Sequence, residues 1–577
     1  MTKRSLMKER EFNLLDEPWV RVMRPDCTVE EVSLPEALLN AHGYVDLAGE
    51  MPTQDAAVLR VLLALLFAVF ARVDAEGREA PLAKPKDAIA RWRALWELGH
   101  FPEKPLRDYF ARWHDRFWLF DPDHPFFQVP DKAWKRKTVG GERLGTAGDV
   151  TKLNGEVFAG GNKKRLFQSA FGNEGLTYSQ SARWLIALVA WDDTALKPTE
   201  KGLPSAKTGW LGQLGYIQAH GKTLFETLML NLTLLQDGAQ KWDTNVCPED
   251  EYLICPCWEL GKPRVGERVI IPQPKTPAAL YTVQSRRIHL LRKLDKVVSF
   301  IMLAGDSFQQ EDQLGKLLRE QMTLWYDASG KANAPACYVP RRHDESKQFW
   351  REFPTAFAQQ EGRKGRQPGI VRWLAALQRC EALPQNRLMI FRVCALRYDH
   401  SASSTVYDFF CDQLGFHVRL LSKANACIGV RARVVEEIGL CEQVAQAVGW
   451  LGHNLDMAAG TREKVPPKQL NNAGKEAMTQ FYYRVDRPFR QWLEALDPVG
   501  DVGKAIDDWR ATARGIALTL GKELVQAMSP AAFVGRTLKE QKGKNAEKHY
   551  SAPEAMQSFM AAVFAVYPSC LSETKGA

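Results

Sequence analysis

Residues 478–496 read MTQFYYRVDRPFRQWLEAL, with Met478, Phe481, Tyr482, Val485, Phe489, Trp492, Leu493 and Leu496 at steps of three and four. That is the period of an α-helix carrying one apolar stripe. The following stretch, IDDWRATARGIALTLGKEL at 506–524, repeats the pattern through Ile506, Trp509, Ala513, Ile516, Leu520 and Leu524. Striped helices need partners. Val434 to Leu451 before this pair and Pro553 to Val566 after it supply two more helical segments, enough to close a four-helix bundle around a shared core. Pro488 falls inside the first stripe, where a residue without an N–H should kink the helix. The joint ahead of the last helix carries Arg536, Lys539, Lys542, Lys544 and Lys548 around Gly543, a candidate basic loop.

Toward the N-terminus the pattern becomes mixed. Trp19 to Met23 and Thr28 to Val32 flank the turn-forming Arg24-Pro25-Asp26 and read as two short strands. Ser33-Leu34-Pro35-Glu36 has the spacing of a capping box and starts a helix. Helical periodicity follows over Gln54 to Val73, Lys86 to Leu98 and Leu106 to Trp118, until Asp121-Pro-Asp-His-Pro125 breaks it. The sequence therefore predicts an α+β chain: a large mixed N-terminal domain over 1–407, followed by a C-terminal four-helix bundle over 408–577.

A length of 577 residues also asks for more than one core. Apolar, charged and aromatic fractions of 45%, 25% and 10% exclude a disordered or fibrous chain. The most apolar run, Ala56 to Ala71, is interrupted by Arg60; the eleven residues left from Val61 fall short of the roughly 20 that cross a bilayer. It reads as a buried helix, and no membrane partner is expected. Eleven cysteines scattered from Cys27 to Cys570, behind a start of Met-Thr-Lys-Arg-Ser, are expected in a reducing cytoplasm.

Seventy-seven Lys and Arg against 68 Asp and Glu make a net charge of +9, modest for the size, so a polyanion would have to be met by local clustering. Residues 131–215 provide it, with 13 basic against 8 acidic groups. Seven glycines between Val139 and Gly161 predict a long mobile loop there, flanked by Lys132, Lys135, Arg136 and Lys137 and by Lys163, Lys164 and Arg165. A solvated charged loop would carry the same composition.

Catalytic signatures are weak. Gly215 to Thr223 resembles a phosphate-binding loop but has five residues between its glycines where that loop has four. His114-Asp115 matches the dipeptide of metal-dependent phosphohydrolases, too few ligands for a metal, though a nuclease or phosphohydrolase using this pair is the rival enzyme reading. Cys247, Cys255 and Cys257 give a C-x-C pair and a distant third thiol, short of a tetrahedral zinc set. Neither a cofactor nor a metal is expected. A third reading is a scaffold protein whose basic loops only aid solubility.

A further likeness comes from an ordered set of segments: Phe12-Asn-Leu-Leu-Asp-Glu-Pro-Trp19-Val20, Ser33 to Leu38, His124-Pro-Phe-Phe-Gln128, Thr208-Gly-Trp-Leu-Gly212, Thr223 to Leu232, Tyr281-Thr-Val-Gln-Ser-Arg-Arg287 and Phe481-Tyr-Tyr. In this order the chain resembles the large subunit (CasA family) of the type I-E CRISPR Cascade complex. The resemblance implies a non-catalytic subunit that works with a CRISPR guide RNA and the other Cascade backbone and small subunits. It also implies reading of a protospacer-adjacent motif (PAM) in target double-stranded DNA, help in strand separation and recruitment of a helicase-nuclease. Guide pairing then reads sequence while protein reads a few base pairs of intact duplex, through the degenerate code of the minor groove.

By the same resemblance, Phe171-Gly172-Asn173 matches the family's Phe-x-Asn loop tip beside Lys163-Lys164-Arg165, expected at the guide's 5′ handle and the PAM-proximal DNA. Lys201 and Gly202 match its glycine loop. Lys262, four residues after Trp258, matches its lysine finger, with Arg264 as the nearby alternative. Arg397 to Thr405 matches the strand-separating hairpin, with His400 or Ser403 in place of an absent glutamine. Arg286 and Arg287 would touch phosphate or pair with carboxylates.

Overall fold

The computed structural model describes residues 10–130, 136–138, 141–143, 146–154, 175–194, 207–244, 247–262, 270–308, 319–329, 337–358, 366–398, 406–460, 469–539 and 547–568. The chain divides into two compact units, Met1–Gln385 with Met389–Gln413, and Asn386–Leu388 with Leu414–Ala577.

The first unit is built around helix Pro52–Phe70, which is buried nearly throughout and packs against helices Tyr178–Trp191 and Pro277–Tyr281. Its apolar run covers all faces of the helix because protein surrounds it on all sides. Arg60 sits in that core opposite Glu320, both nitrogens of its fork 2.9 Å from the carboxylate oxygens. Strands Val20–Met23 and Val29–Val32 pair antiparallel, Asp46–Leu47 joins them, and Ser33 Oγ accepts the Glu36 N–H to start helix Leu34–Leu39. Helix Pro85–Leu98 forms as its periodicity predicts.

The helix expected to reach Trp118 stops at Trp113. Trp118–Phe120 is instead a strand paired with Glu11–Asn13, its middle residue Leu119 buried. A short apolar run fits either period, and here the edge offered by residues 11–13 decides it. The expectation of one long mobile loop after Val139 also needs correction. Among the described residues, Arg136–Thr138 pairs with Gly141–Arg143, Thr146–Asp149 joins the sheet of Arg286–Lys293 and Lys296–Ala304, and Val150–Leu153 is helical. Gly148 is a packing glycine: a Cβ there would collide with the Phe300 ring. Glycine content alone does not separate mobility from close approach.

The second unit is the expected bundle, with helices Asn425–Ala459, Asn472–Ala495, Val502–Gln526 and Ala552–Val566. Phe481, Val485, Phe489 and Leu493 from the second stripe and Trp509, Ala513 and Leu520 from the third are buried together. Phe489 meets Trp509 edge-on at 5.1 Å, and Trp492 stacks on Trp509 at 5.5 Å. Helix Asn472–Ala495 runs on through Pro488. The ends of the basic joint pair as strands Arg536–Lys539 and Glu547–Tyr550.

Candidate nucleic-acid interface

Lys163, Lys164, Arg165, Phe171, Gly172, Asn173, Lys201, Gly202, Arg264, His400 and Ser403 lie outside the described residues. The structure does define where their segments leave and rejoin the body of the first unit. Strand Thr146–Asp149 pairs with Ser299 to Met302, and after the 155–174 connection the chain returns at Leu176, which exchanges two 2.9 Å backbone bonds with Val297. Both ends of the stretch that carries Lys163 to Arg165 and Phe171 to Asn173 are thus tied to one strand, Lys296–Ala304.

A second junction gathers the ends of four connections. Arg286, 2% exposed, ion-pairs through Nε with the Asp192 carboxylate and donates from Nη1 to the Ser285 carbonyl at 2.8 Å. Its Nη2 donates to the carbonyls of Asp193 at 2.8 Å and Lys207 at 2.7 Å, on either side of the 195–206 connection that holds Lys201 and Gly202. The Gly209 N–H bonds the Asp192 carbonyl at 2.8 Å. A Cβ on Gly209 would strike the Ala190 backbone, so only glycine fits against the end of helix Tyr178–Trp191.

Beside it, Trp210 donates from Nε1 to Glu320 at 2.8 Å and meets the Phe308 ring edge-on at 4.6 Å. Phe308 and Glu320 stand near the two ends of the 309–318 connection, and Glu320 is held from below by Arg60. Ile270–Ile271, where the chain rejoins after 263–269, runs parallel to Ser307–Phe308. Arg287 pairs with Asp306 at 2.5 Å and donates to the Gln284 carbonyl at 2.8 Å. The fourth end is Tyr398, last described residue before 399–405; its hydroxyl donates to the Trp191 carbonyl at 2.5 Å. Burial pushes the Tyr398 phenol far above its ordinary range, so it remains a neutral donor. Arg342 bridges the two sides, its guanidinium carbon 5.1 Å from the Tyr398 ring and its Nη2 3.0 Å from Thr208 Oγ1.

Of the two readings open for Arg286 and Arg287, the structure selects carboxylate pairing: both are buried and held inside the unit. Lys262 is exposed and follows a rigid anchor. Trp258 lies 5.4 Å from the Phe117 ring, stacks on Phe126 at 6.0 Å and donates to Tyr109 Oη. Tyr109 in turn donates to Glu259 at 2.6 Å, and Arg72 grips Glu259 with two 2.8 Å bonds. Lys262 leaves this anchor two residues beyond Leu260.

The weaker motifs resolve into packing. His114 pairs with Asp16 at 2.8 Å while Asp115 pairs with Arg10 at 2.7 Å, so the dipeptide faces two different partners. Burial pushes the Cys255 thiol up to about 11, away from the thiolate a zinc ion takes. Among the described residues no group of three His, Cys, Asp or Glu side chains is placed to hold a metal ion. Thr223 caps helix Leu224–Asn231 and the Lys222 N–H goes to Glu226, a carboxylate where a phosphate-binding loop would hold its anion. The trace of the Arg286 junction in the sequence was the pair of segments Thr208 to Gly212 and Tyr281 to Arg287, which meet there.

An α+β body carrying rooted basic and glycine-bearing connections, with a helical bundle after it, is an architecture shared with solved proteins. The fold is similar to the crystal structure of Thermobifida fusca Cse1, with a TM-score of 0.77 and 26% identity over 97% of this chain and 98% of that one. It is likewise similar to Cse1 from Acidimicrobium ferrooxidans, with a TM-score of 0.73 and 23% identity over 97% and 100%. A chain of a CRISPR RNA-guided surveillance complex shares the fold at a TM-score of 0.63, with 18% identity over 96% and 99%. In sequence, CasA/Cse1 of Thermus thermophilus is 28% identical over 533 residues, 87% of this chain and 92% of that protein. The family described as CRISPR-associated protein Cse1 matches residues 13–520, and the chain belongs to it.

Proposed function

We propose that the chain is the large subunit of a CRISPR RNA-guided DNA surveillance complex and acts without catalysis of its own. In this reading it works in the cytoplasm with a guide RNA and the Cascade backbone and small subunits. It reads the PAM in duplex DNA, promotes strand separation and recruits a helicase-nuclease. Family membership across residues 13–520 carries the proposal. The geometry supports it, because segments bearing lysine, arginine and glycine start and end on two rigid junctions of one unit, as loops that must hold register against a duplex require. Expressed with its partner subunits, the chain should co-purify with a small RNA of fixed length, and the complex should prefer PAM-bearing over PAM-less duplex. DNA indifference in the assembled complex would refute the proposal, and metal-dependent cleavage by the isolated chain would favour a nuclease instead.

A further inference from the structure

Cys394 and Cys411 stand on neighbouring strands of the first unit, Leu388–Tyr398 and Val406–His417, and both are free thiols. Two contacts fix how these strands face each other. The Val418 N–H donates to the Arg387 carbonyl at 2.8 Å just beyond one end of the pair, and Arg397 ion-pairs with Asp408 at 3.0 Å toward the other. Arg397 lies ten positions after Arg387 and Asp408 ten before Val418, so the strands advance in step with no residue inserted between the two contacts. Three positions further in from Arg397 and Asp408, Cys394 falls opposite Cys411. The backbone bond between Arg387 and Val418 makes every second pair from there a hydrogen-bonded one, and the two cysteines fall between such pairs. At a non-hydrogen-bonded position of an antiparallel ladder the Cα atoms are about 4.5 Å apart and the side chains are closest. A disulfide spans Cα separations of roughly 4.4–6.8 Å, so the backbone is already placed for one.

Both cysteines also line one cavity of about 590 Å³, together with Asp55, Leu59, Tyr216 and Arg392. Cys394 is buried, its Sγ 3.8 Å from the Pro52 carbonyl, while Cys411 is exposed. Among the described strands, Val406–His417 is the edge of its sheet, with Leu388–Tyr398 beside it and Ile217–His220 beyond. A small oxidant therefore reaches Cys411 from solvent and Cys394 through the cavity. We propose that Cys394 and Cys411 are an oxidation site, which hydrogen peroxide converts into a disulfide that rivets the edge strand to its neighbour. In the first step the Cys411 sulfur attacks a peroxide oxygen, the O–O bond breaks, one water leaves, and Cys411 becomes a sulfenic acid. In the second the Cys394 sulfur attacks that sulfur, the S–S bond forms as the S–O bond breaks, and the departing oxygen takes the Cys394 proton and leaves as the second water. Two thiols give up two electrons, and one peroxide is reduced to two waters.

Burial holds both thiols protonated. It pushes Cys411 up to about 11, with Asp412 adding to the shift and Arg392 opposing it, and it drives Cys394 far above the ordinary thiol range. The thiolate is the nucleophile, so the pair stays reduced at low peroxide and closes under sustained exposure. The bond would close a loop of 18 residues, Cys394 to Cys411. Cross-linking a loop of about 15 residues removes enough freedom from the opened chain to favour the closed form on the order of 100-fold. Separation of the edge strand is the motion that the rivet opposes.

The test treats the folded full chain with graded hydrogen peroxide, caps the remaining thiols with N-ethylmaleimide in denaturant, and digests for mass spectrometry. A peptide pair joined through Cys394 and Cys411 should appear, two hydrogens lighter than its parts, and should vanish on treatment with dithiothreitol. Amide exchange in peptides from 408–416 should slow at least about tenfold in the oxidised chain, within the 100-fold that loop closure allows. Cys411→Ser, at the exposed position, should give neither the joined pair nor the slowing. Cys394→Ala, which keeps a small apolar side chain in the cavity wall, checks the same result from the other strand if Cys411→Ser does not fold. Cys411 driven to sulfinic acid while Cys394 is capped, either thiol joined to a different cysteine, or a joined pair that forms only in urea would overturn the inference. A joined pair with unchanged exchange would overturn the rivet.

Discussion

The Arg60–Glu320 pair permits a sharp test of what holds the first unit together. Both side chains are inaccessible, at 3% and 0% exposure, and they are 260 positions apart in sequence. Burial opposes the Arg60 charge, and the Glu320 carboxylate more than restores it, so the guanidinium stays charged in place. The Tyr281 ring adds a cation–π contact at 3.9 Å. Arg60→Leu deletes both 2.9 Å bonds and leaves Glu320, among the described residues, with the Trp210 and Met322 N–H groups. An uncompensated buried charge of this kind costs about 3–5 kcal/mol. The double variant Arg60→Leu with Glu320→Gln removes the orphaned charge and should recover most of the loss, because an amide can still accept from Trp210. Urea unfolding followed by tryptophan fluorescence reads both changes. A cost below about 1 kcal/mol for Arg60→Leu, or a double variant no better than the single, would refute the claim that charge compensation governs this core.

Alanine at both Phe171 and Asn173 should weaken binding of PAM-containing duplex far more than of a pre-opened target, because opening no longer has to be driven by protein contacts; equal loss on both refutes that role. Lys262→Ala should erase the preference for PAM duplex if the ammonium enters the groove, whereas a phosphate-only contact would weaken both duplexes and lower the salt slope by about 1 in a two-salt gel-shift titration. The fragment 408–577 should melt cooperatively by circular dichroism, since its four stripes cover one another. Within it, burial raises the Glu437 carboxyl above its ordinary value against the pull of Arg510, and Glu437 Oε2 has no hydrogen-bond partner among the described residues. A raised folded value favours the protonated form, so stability from this group is present below the ordinary carboxylate range and lost as pH rises through the folded value. The stability of Glu437→Gln relative to parent should therefore increase with pH, and a gap that narrows instead would overturn the assignment.

The bundle was legible because stripe and partner are both local. Phe481 to Leu493 and Trp509 to Leu520 announce one face each, and four such faces have few ways to close. Strand Trp118–Phe120 was not, because what makes it a strand is the edge at Glu11–Asn13, more than 100 residues earlier. Arg60 shows both sides of this. Its place in an apolar run marked the helix as something other than a simple membrane span, yet nothing nearby named Glu320 as the reason an arginine is tolerated there.

The site divides along the same line. The segments that carried the resemblance include Thr208 to Gly212 and Tyr281 to Arg287, and in the structure they pack on each other: Trp210 against Phe308 and Glu320, Tyr281 under Arg60, Ser285 and Arg286 against the end of helix Tyr178–Trp191. Residues recognisable by type and order are therefore those whose shape and charge are demanded by packing at the junctions. A lysine or glycine whose only task is to meet a partner outside the chain leaves no pattern of period or pairing by which one position can be preferred over its neighbour. That is why the family could be named from motifs whose residues pack against one another, and why Arg286 was readable as a phosphate contact until its carboxylate, 94 residues away, came into view.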